Sequence, residues 1–371
     1  MRYYGCKTKL LNFIEKAAKE LDLYDGAKFF DAFTGTTAVA KHFKRLGYTV
    51  IANDNLEFCY ALAKTYIELN EHPKFSKLKK LVDSHEGIST HEKVINYLNN
   101  ADTIKGFIFK NYCPGGTRGL RKYFSDKNGE KIDTIRTKLE EWKKSNLITE
   151  SEFYYLLTAL IEAVNLVSNI AGTYAAHLKT WDKRALKPLI LTTPEIIPSK
   201  RANKALKTDV NEIVGKITTD ILYLDPPYNA RQFASNYFLL ELIAEGWFNE
   251  EPNIDRKSKT GVYFDESKKS LYCQKSTAPE IFADLINQAK ARHIILSYSN
   301  EGIIPEEDIK KILSEKGSLL RHEQNHQRYR SVNQTKNDPD SVNERLYVVS
   351  VEGIKDRFNR LNGAKWLQNS F

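Results

Sequence analysis

The sequence predicts an α/β fold built on a parallel sheet and interrupted by a long, mostly helical insertion. Three observations carry this. Near the amino terminus a strand, a glycine turn, a helix and a second strand follow one another. A buried-looking strand much later ends in a turn with chemical character. Between them lies a stretch of helical periodicity in which no strand alternates regularly.

The elements follow in order. Residues 8–22 place Leu10, Leu11, Ile14, Ala17, Ala18 and Leu21 on one helical stripe that stops before Asp25-Gly26. Ala27–Phe33 reads as a strand, Gly35 as a turn, and Thr37 to Leu46 as a helix with Gly47 past its end. Tyr48–Ala52 is the second strand, which completes a βαβ unit. In such a unit ligands bind beyond the carboxyl ends of the strands, here at Asp31–Thr37 and at Asn53-Asp54-Asn55.

From about residue 70 to 205 helical stretches at 91–98, 131–143 and 151–168 surround the loop Asn111–Gly119, with basic side chains at Lys110, Arg118, Arg121, Lys122, Lys179, Lys183 and Arg184. This predicts a catalytic domain formed by 1–69 and 206–371 and an inserted region over 70–205. The α/β rhythm resumes with Asp220–Leu224, whose apolar run suits a buried parallel strand, and continues with a strand at His293–Tyr298. The polar stretch 321–340 reads as an exposed loop and Glu344–Val351 as the last strand.

At 371 residues the chain can bury one large core carrying an insertion. Its 56 Lys and Arg against 47 Asp and Glu give a net charge of +9, which favours a polyanionic partner. Cys6, Cys59, Cys113 and Cys273 lie too far apart for a zinc motif or a disulfide framework, so a reducing cytoplasm is expected. The first residues lack the apolar core of a signal peptide, and no run of about 18 apolar residues suggests a membrane span.

The chemistry concentrates at Asp225-Pro226-Pro227-Tyr228, directly after the strand 220–224. Asp and Pro are common in plain turns, but the end of a central strand is where ligands sit. Two prolines fix the backbone and remove two N–H donors, leaving carbonyls to face a ligand. The Asp225 carboxylate and a proline carbonyl form a pair of acceptors suited to an amino group on a heteroaromatic ring, with Tyr228 as a stacking face. Adenine N6 is a poor nucleophile because its lone pair is delocalised. Drawing both hydrogens towards acceptors would free that lone pair to attack a methyl sulfonium. A base in a duplex must be swung out of the stack to arrive there.

The other half of the site is read at Phe30–Thr37, where Gly35 permits a tight turn, and at Asp54, placed to accept hydrogen bonds from a ribose.

Together these segments resemble the D12 class, the Dam-like group of N6-adenine-specific DNA methyltransferases, over most of the chain. The resemblance implies a Rossmann-like S-adenosylmethionine-dependent sheet with a target-recognition insertion, no metal, and S-adenosylhomocysteine as product. It assigns Tyr3 and Lys7 to the family's amino-terminal cofactor segment, Asp31, Phe33 and Gly35 to its glycine motif, Asp54 to the ribose, and Asp209-Val210 to the cofactor's adenine. Asp225, Pro226, Pro227 and Tyr228 are then catalytic. The chain departs from the family pattern at Cys6, where a glycine is usual, and at Thr37, where a second glycine is usual.

Asn229–Tyr237, Arg121–Ser125, Ile132–Arg136 and Asn169–Tyr174 resemble the subset attached to restriction–modification systems. This implies a protective methylase of duplex DNA with a separately encoded restriction endonuclease, since no Pro-Asp with a following Glu-x-Lys is present in the chain. The DNA-contact candidates are Arg118, Arg121, Lys122, Asn169, Tyr174, Arg231, Arg328 and Arg330. Asn169 and Tyr174 read equally as capping or packing residues. The stretch His322–Arg330 lacks acidic or cysteine partners at metal spacing and reads as a solvated or phosphate-contacting loop. RNA adenine methylation, and an inactive methyltransferase fold that binds DNA, are the competing functions.

Overall fold

The computed structural model describes residues 5–116, 121–255, 258–263, 265–327 and 341–351. Its seven strands are β1 (Lys28–Asp31), β2 (Thr49–Asn53), β3 (Lys204–Leu206), β4 (Thr218–Leu224), β5 (Lys290–Ser299), β6 (Ser318–Gln327) and β7 (Ser341–Ser350). They form one sheet in the order β3-β2-β1-β4-β5-β7-β6. The first five strands are mutually parallel, and β7 runs antiparallel to both β5 and β6. The architecture is Rossmann-like. From β1 the chain winds outwards through β2 and β3, then returns to place β4 on the other side of β1, and that reversal opens a crevice at the strands' carboxyl ends.

The central strands read as near-continuous apolar runs because helices cover both faces of the sheet. Phe29, Val50 and Tyr223 face one core, which also holds Val94, Leu98, Trp142 and Leu156 from the helical region. Phe30, Leu222 and Ile294 face the other core, with Phe282, Ile286, Ile309 and Leu313 from the helices Ala278–Gln288 and Glu306–Lys316. The helical region therefore shares a core with the sheet instead of folding over a core of its own.

Its helices Thr90–Asn100, Phe107–Tyr112, Asp126–Lys144 and Glu150–Val167 cover the expected stretches. Ser89 with Glu92, and Thr149 with Glu152, form capping boxes that satisfy the first amides of two of them. Glu150–Val167 lies along Glu57–Ala63, where the Thr158 hydroxyl donates to the carbonyl of Ala61 at 2.9 Å.

The helix Ala38–Arg45 begins after Gly35 (φ 49°) and Thr37 (φ 62°). The position where the resembling family carries a second glycine is thus left-handed, and this chain puts a buried β-branched residue there. Gly47 (φ 89°) ends the helix as expected.

The reading of 321–340 as a loop is corrected. Ser318–Gln327 is strand β6, paired along its length with β7 at the sheet edge. Arg321–Asn325 carries no apolar alternation because these side chains are mostly exposed at the sheet edge; residues 328–340 lie outside the described residues. Among the described residues no helix is long and apolar enough to cross a membrane.

Candidate active site

Three carboxylates stand at the tips of adjacent strands. Asp31 ends β1, Asp54 follows β2 and Asp225 follows β4. Together with Lys7, Phe33, Gly35, Asp209, Val210, Pro226, Pro227 and Tyr228 they line a single cleft of about 1180 Å³, open to solvent at its mouth. The sheet's topology gathers these segments, although Lys7 and Tyr228 lie far apart in sequence.

Asp31 is 1 % exposed. Its Oδ2 accepts from the Thr34 hydroxyl at 3.0 Å, while its Oδ1 has no donor in hydrogen-bonding geometry, the nearby Ala40 amide only helping to hold the carboxyl down. Burial pushes the carboxyl up to about 8; the Thr34 bond opposes this, and Asp225 and Asp54 nearby add to it. Asp54 accepts the Gly35 amide at 2.8 Å and the Leu56 amide at 3.1 Å, and burial raises its carboxyl against these bonds. Asp209 caps the short helix Val210–Ile213 by accepting from the Asn211 amide at 2.9 Å. Phe33 meets the edge of Tyr272 with ring centroids 5.3 Å apart, which gives the cleft an aromatic wall.

These features fit a ligand with a cationic head, hydroxyl groups and a flat ring. The orphaned Asp31 Oδ1 is the decisive element, because a buried acceptor without a donor is costly until something supplies one.

At the β4 tip, Lys7 Nζ lies 3.2 Å from Asp225 Oδ1 and 2.6 Å from Glu344 Oε1. Burial raises the Asp225 carboxyl to about 7, with Lys7 opposing the shift and Glu344 adding to it. Burial works against the charge on Lys7, yet Asp225 and Glu344 hold its ammonium well above the usual lysine range. Tyr228 is braced from behind: its carbonyl accepts the Ile303 amide at 2.9 Å and its ring meets Tyr298 edge-on at 6.0 Å.

Several cleft residues escaped the sequence reading. The segment Ser267–Tyr272 forms one wall. It is fixed by reciprocal bonds between the Gln232 amide and the backbone of Ser270, at 3.0 and 2.8 Å, and by Lys268 on Glu241 at 2.5 Å. Glu241 also accepts the Glu57 and Phe58 amides at 2.9 and 3.1 Å, so one buried carboxylate joins this wall to the helix that follows Asp54. Glu344, which stands behind Lys7 and not in the cleft lining, was missed because its strand is antiparallel, and only the ladder register shows that its start lies at the cleft end. The wall segment carries no periodicity that could have flagged it.

The DNA-contact candidates divide. Arg121 is 2 % exposed, and it donates to the carbonyls of Asn111, Asp255 and Ser258 at 3.0 to 3.1 Å. Sequence gave it to DNA; the structure places it as an internal brace. Asn169 and Tyr174 are fully buried. Asn169 donates to the Leu178 carbonyl at 3.1 Å and accepts the Asp182 amide at 2.9 Å, closing the base of a loop. Tyr174 shares a hydrogen bond with Ser168, and its amide reaches the Asn236 carbonyl at 2.6 Å. Packing and capping therefore describe what these two side chains do here. Arg231 is exposed on the loop after Tyr228, and Lys122 is half-buried. Tyr3, Arg118, Arg328 and Arg330 lie outside the described residues. Among the described residues no group of three or more metal-ligating side chains converges.

The family model of the D12 class N6 adenine-specific DNA methyltransferases matches residues 3–312. The chain belongs to this class. Among relatives of this D12 chain, the type II methyltransferase M.FokI of Planomicrobium okeanokoites is 44% identical over 321 residues, covering 85% of this chain and 47% of that protein. Modification methylase StsI of Streptococcus sanguinis is 45% identical over 317 residues, covering 85% and 46%. The type II methyltransferase M.NlaIII of Neisseria lactamica is 36% identical over 320 residues, covering 85% and 89%. The D12 chain thus spans about half the length of the first two relatives and most of the third.

Proposed function

We propose that this protein transfers a methyl group from S-adenosylmethionine to the exocyclic N6 of an adenine turned out of duplex DNA, as the protective methylase of a restriction–modification system. The observation that carries the reading is the shared cleft: the acceptors at the β4 tip and the orphaned Asp31 carboxylate open into one space. Family membership and the names of the relatives support the substrate.

In this reading Asp31 pairs with the donor's amino group and Asp54 with its ribose. Asp209, Val210 and Phe33 border its adenine. When bound, S-adenosylmethionine supplies an electrophilic methyl on a sulfonium and leaves as S-adenosylhomocysteine. Asp225 and a proline carbonyl of the tetrapeptide accept the two hydrogens of the target amine and draw its nitrogen towards a tetrahedral shape. Tyr228 offers a face to the everted ring. As N6 gains the methyl it must lose one proton, and Asp225, with its carboxyl near 7, can take it at neutral pH before water carries it away. Residues 70–205 serve as the target-recognition region; Lys122 within it, and Arg231 on the loop after Tyr228, meet phosphates. The cognate endonuclease is a separate chain, and the setting is the cytoplasm.

The test is incubation of the purified chain with a diverse set of duplex DNAs and labelled donor, followed by nucleoside analysis. Label in N6-methyladenine is expected. Label confined to matched RNA would replace the substrate, and no transfer to any adenine would reduce the protein to a binding module.

A further inference from the structure

Glu344 lies beyond the residues that the family model matches, yet it holds Lys7, the side chain that pairs with Asp225. Because β7 is antiparallel, its early residues lie at the carboxyl end of the sheet, with Glu344 opposite Ser299 of β5. The Ser297 hydroxyl donates to Glu344 Oε1 at 2.5 Å, and the same oxygen takes the Lys7 ammonium at 2.6 Å. Lys7 is closer to Glu344 than to Asp225, which it meets at 3.2 Å. Side-chain exposure is 5 % for Lys7, 7 % for Glu344 and 17 % for Asp225, so Asp225 is the most open member of the trio, while Lys7 and Asp225 border the cleft and Glu344 stands behind Lys7.

Two carboxylates share one ammonium in a poorly solvated place. With Glu344 taking the shorter contact, Asp225 keeps an excess of negative charge. Without it, Lys7 would be left with Asp225 as its sole close carboxylate, and a closed pair of that kind makes a weak acceptor for anything else.

Resting on the proposed role of Asp225, we propose that Glu344 is a positioning residue: it holds Lys7 on its own carboxylate and so preserves Asp225 as the acceptor for the substrate amine. The groups facing this cluster are Tyr223 from β4, Tyr228 from the tetrapeptide, and Asp31 from β1, which faces Asp225 and is itself faced by Asp54. None of these is a second cation. Loss of the Glu344 charge therefore has one direct consequence for Asp225: the like charge that raises its carboxyl disappears while Lys7 remains.

The test is Glu344→Gln, which keeps an oxygen for Lys7 and Ser297 but removes the charge. Single-turnover methyl transfer is followed against pH, with donor affinity measured separately. The expected result is an acid limb displaced by about one unit to lower pH, a plateau rate down about tenfold, and donor affinity within about twofold. Ser297→Ala, which only loosens Glu344, moves the limb in the same direction by less, and it serves where Glu344→Gln does not fold. A limb and plateau matching the parent protein in the folded variants overturns the proposal. Asp225→Ala run alongside separates the two ideas: if it retains transfer the acceptor reading itself fails, and if it is dead while Glu344→Gln behaves as the parent, only the positioning role falls.

Discussion

Asp133 in the helical region and Asp31 in the cleft are buried carboxylates treated in opposite ways. In the helical region Asp133 is fully buried, yet its carboxylate accepts three backbone amides, from Gly106, Ile108 and Phe109, at 2.8 to 2.9 Å. Asn128 uses its amide on the carbonyls of Ala185 and Lys187 and its oxygen on the Leu189 amide. At the strand tips, Asp31 is as deeply buried but has one oxygen with no donor, and Asn53 Oδ1 beside it has none either. Buried polarity that is satisfied by the chain builds structure, whereas at Asp31 and Asn53 the open acceptors line a cleft that a ligand can enter.

This contrast can be broken by exchanging which property is measured. Asp133→Ala strands three amides and should cost about 3 kcal/mol of stability, read from denaturant midpoints, while donor binding per folded molecule stays unchanged. Asp31→Asn should do the reverse. Donor affinity drops by about thirtyfold in calorimetry, since a charge-assisted bond is lost, and thermal stability of the free protein holds or rises. Equal losses of stability from both would erase the distinction.

The acidity of Asp31 sharpens the same point. Its folded value near 8 lies above the unfolded carboxylate range, so its protonated form is favoured at low pH and this contribution to stability is lost as pH climbs from about 4 through 8. A cationic ligand needs the ionised form. Donor affinity should therefore increase several-fold between pH 6 and 8, with proton release detectable in buffers of different ionisation enthalpy. A flat profile would remove Asp31 from the ammonium site.

Exposed and buried arginines should part in the same manner. Arg231→Ala weakens duplex binding several-fold and lowers the salt slope by about one, whereas Arg121→Ala acts on stability through the carbonyls it leaves unpaired. The smallest effect belongs to Thr37→Gly. Relief of a left-handed β-branched residue, less the entropy that glycine adds to the unfolded chain, should raise stability by about 0.5 kcal/mol.

The parts legible in the sequence are those where one local pattern fixes one outcome. The runs Lys-Phe-Phe-Asp and Ile-Leu-Tyr-Leu-Asp-Pro-Pro-Tyr announce buried parallel strands with ligand-facing tips, and β1, β2, β4 and β5 stand where they were expected. The hidden parts depend on partners distant in the chain. β3 is three residues long, β6 shows no alternation, and Glu344 reaches Lys7 only through strand direction. Arg121 reads as a surface cation because nothing nearby in sequence reveals the loop carbonyls that enclose it.

Acceptors at the tip of β4 prepare the target amine in the proposed reaction. Rapid-quench transfer from a preformed complex of donor, duplex and Asp225→Ala tests it most directly. Donor and duplex affinities should stay within a few-fold of the parent while the chemical step slows by about a thousandfold. Transfer at the parent rate from that complex would contradict it.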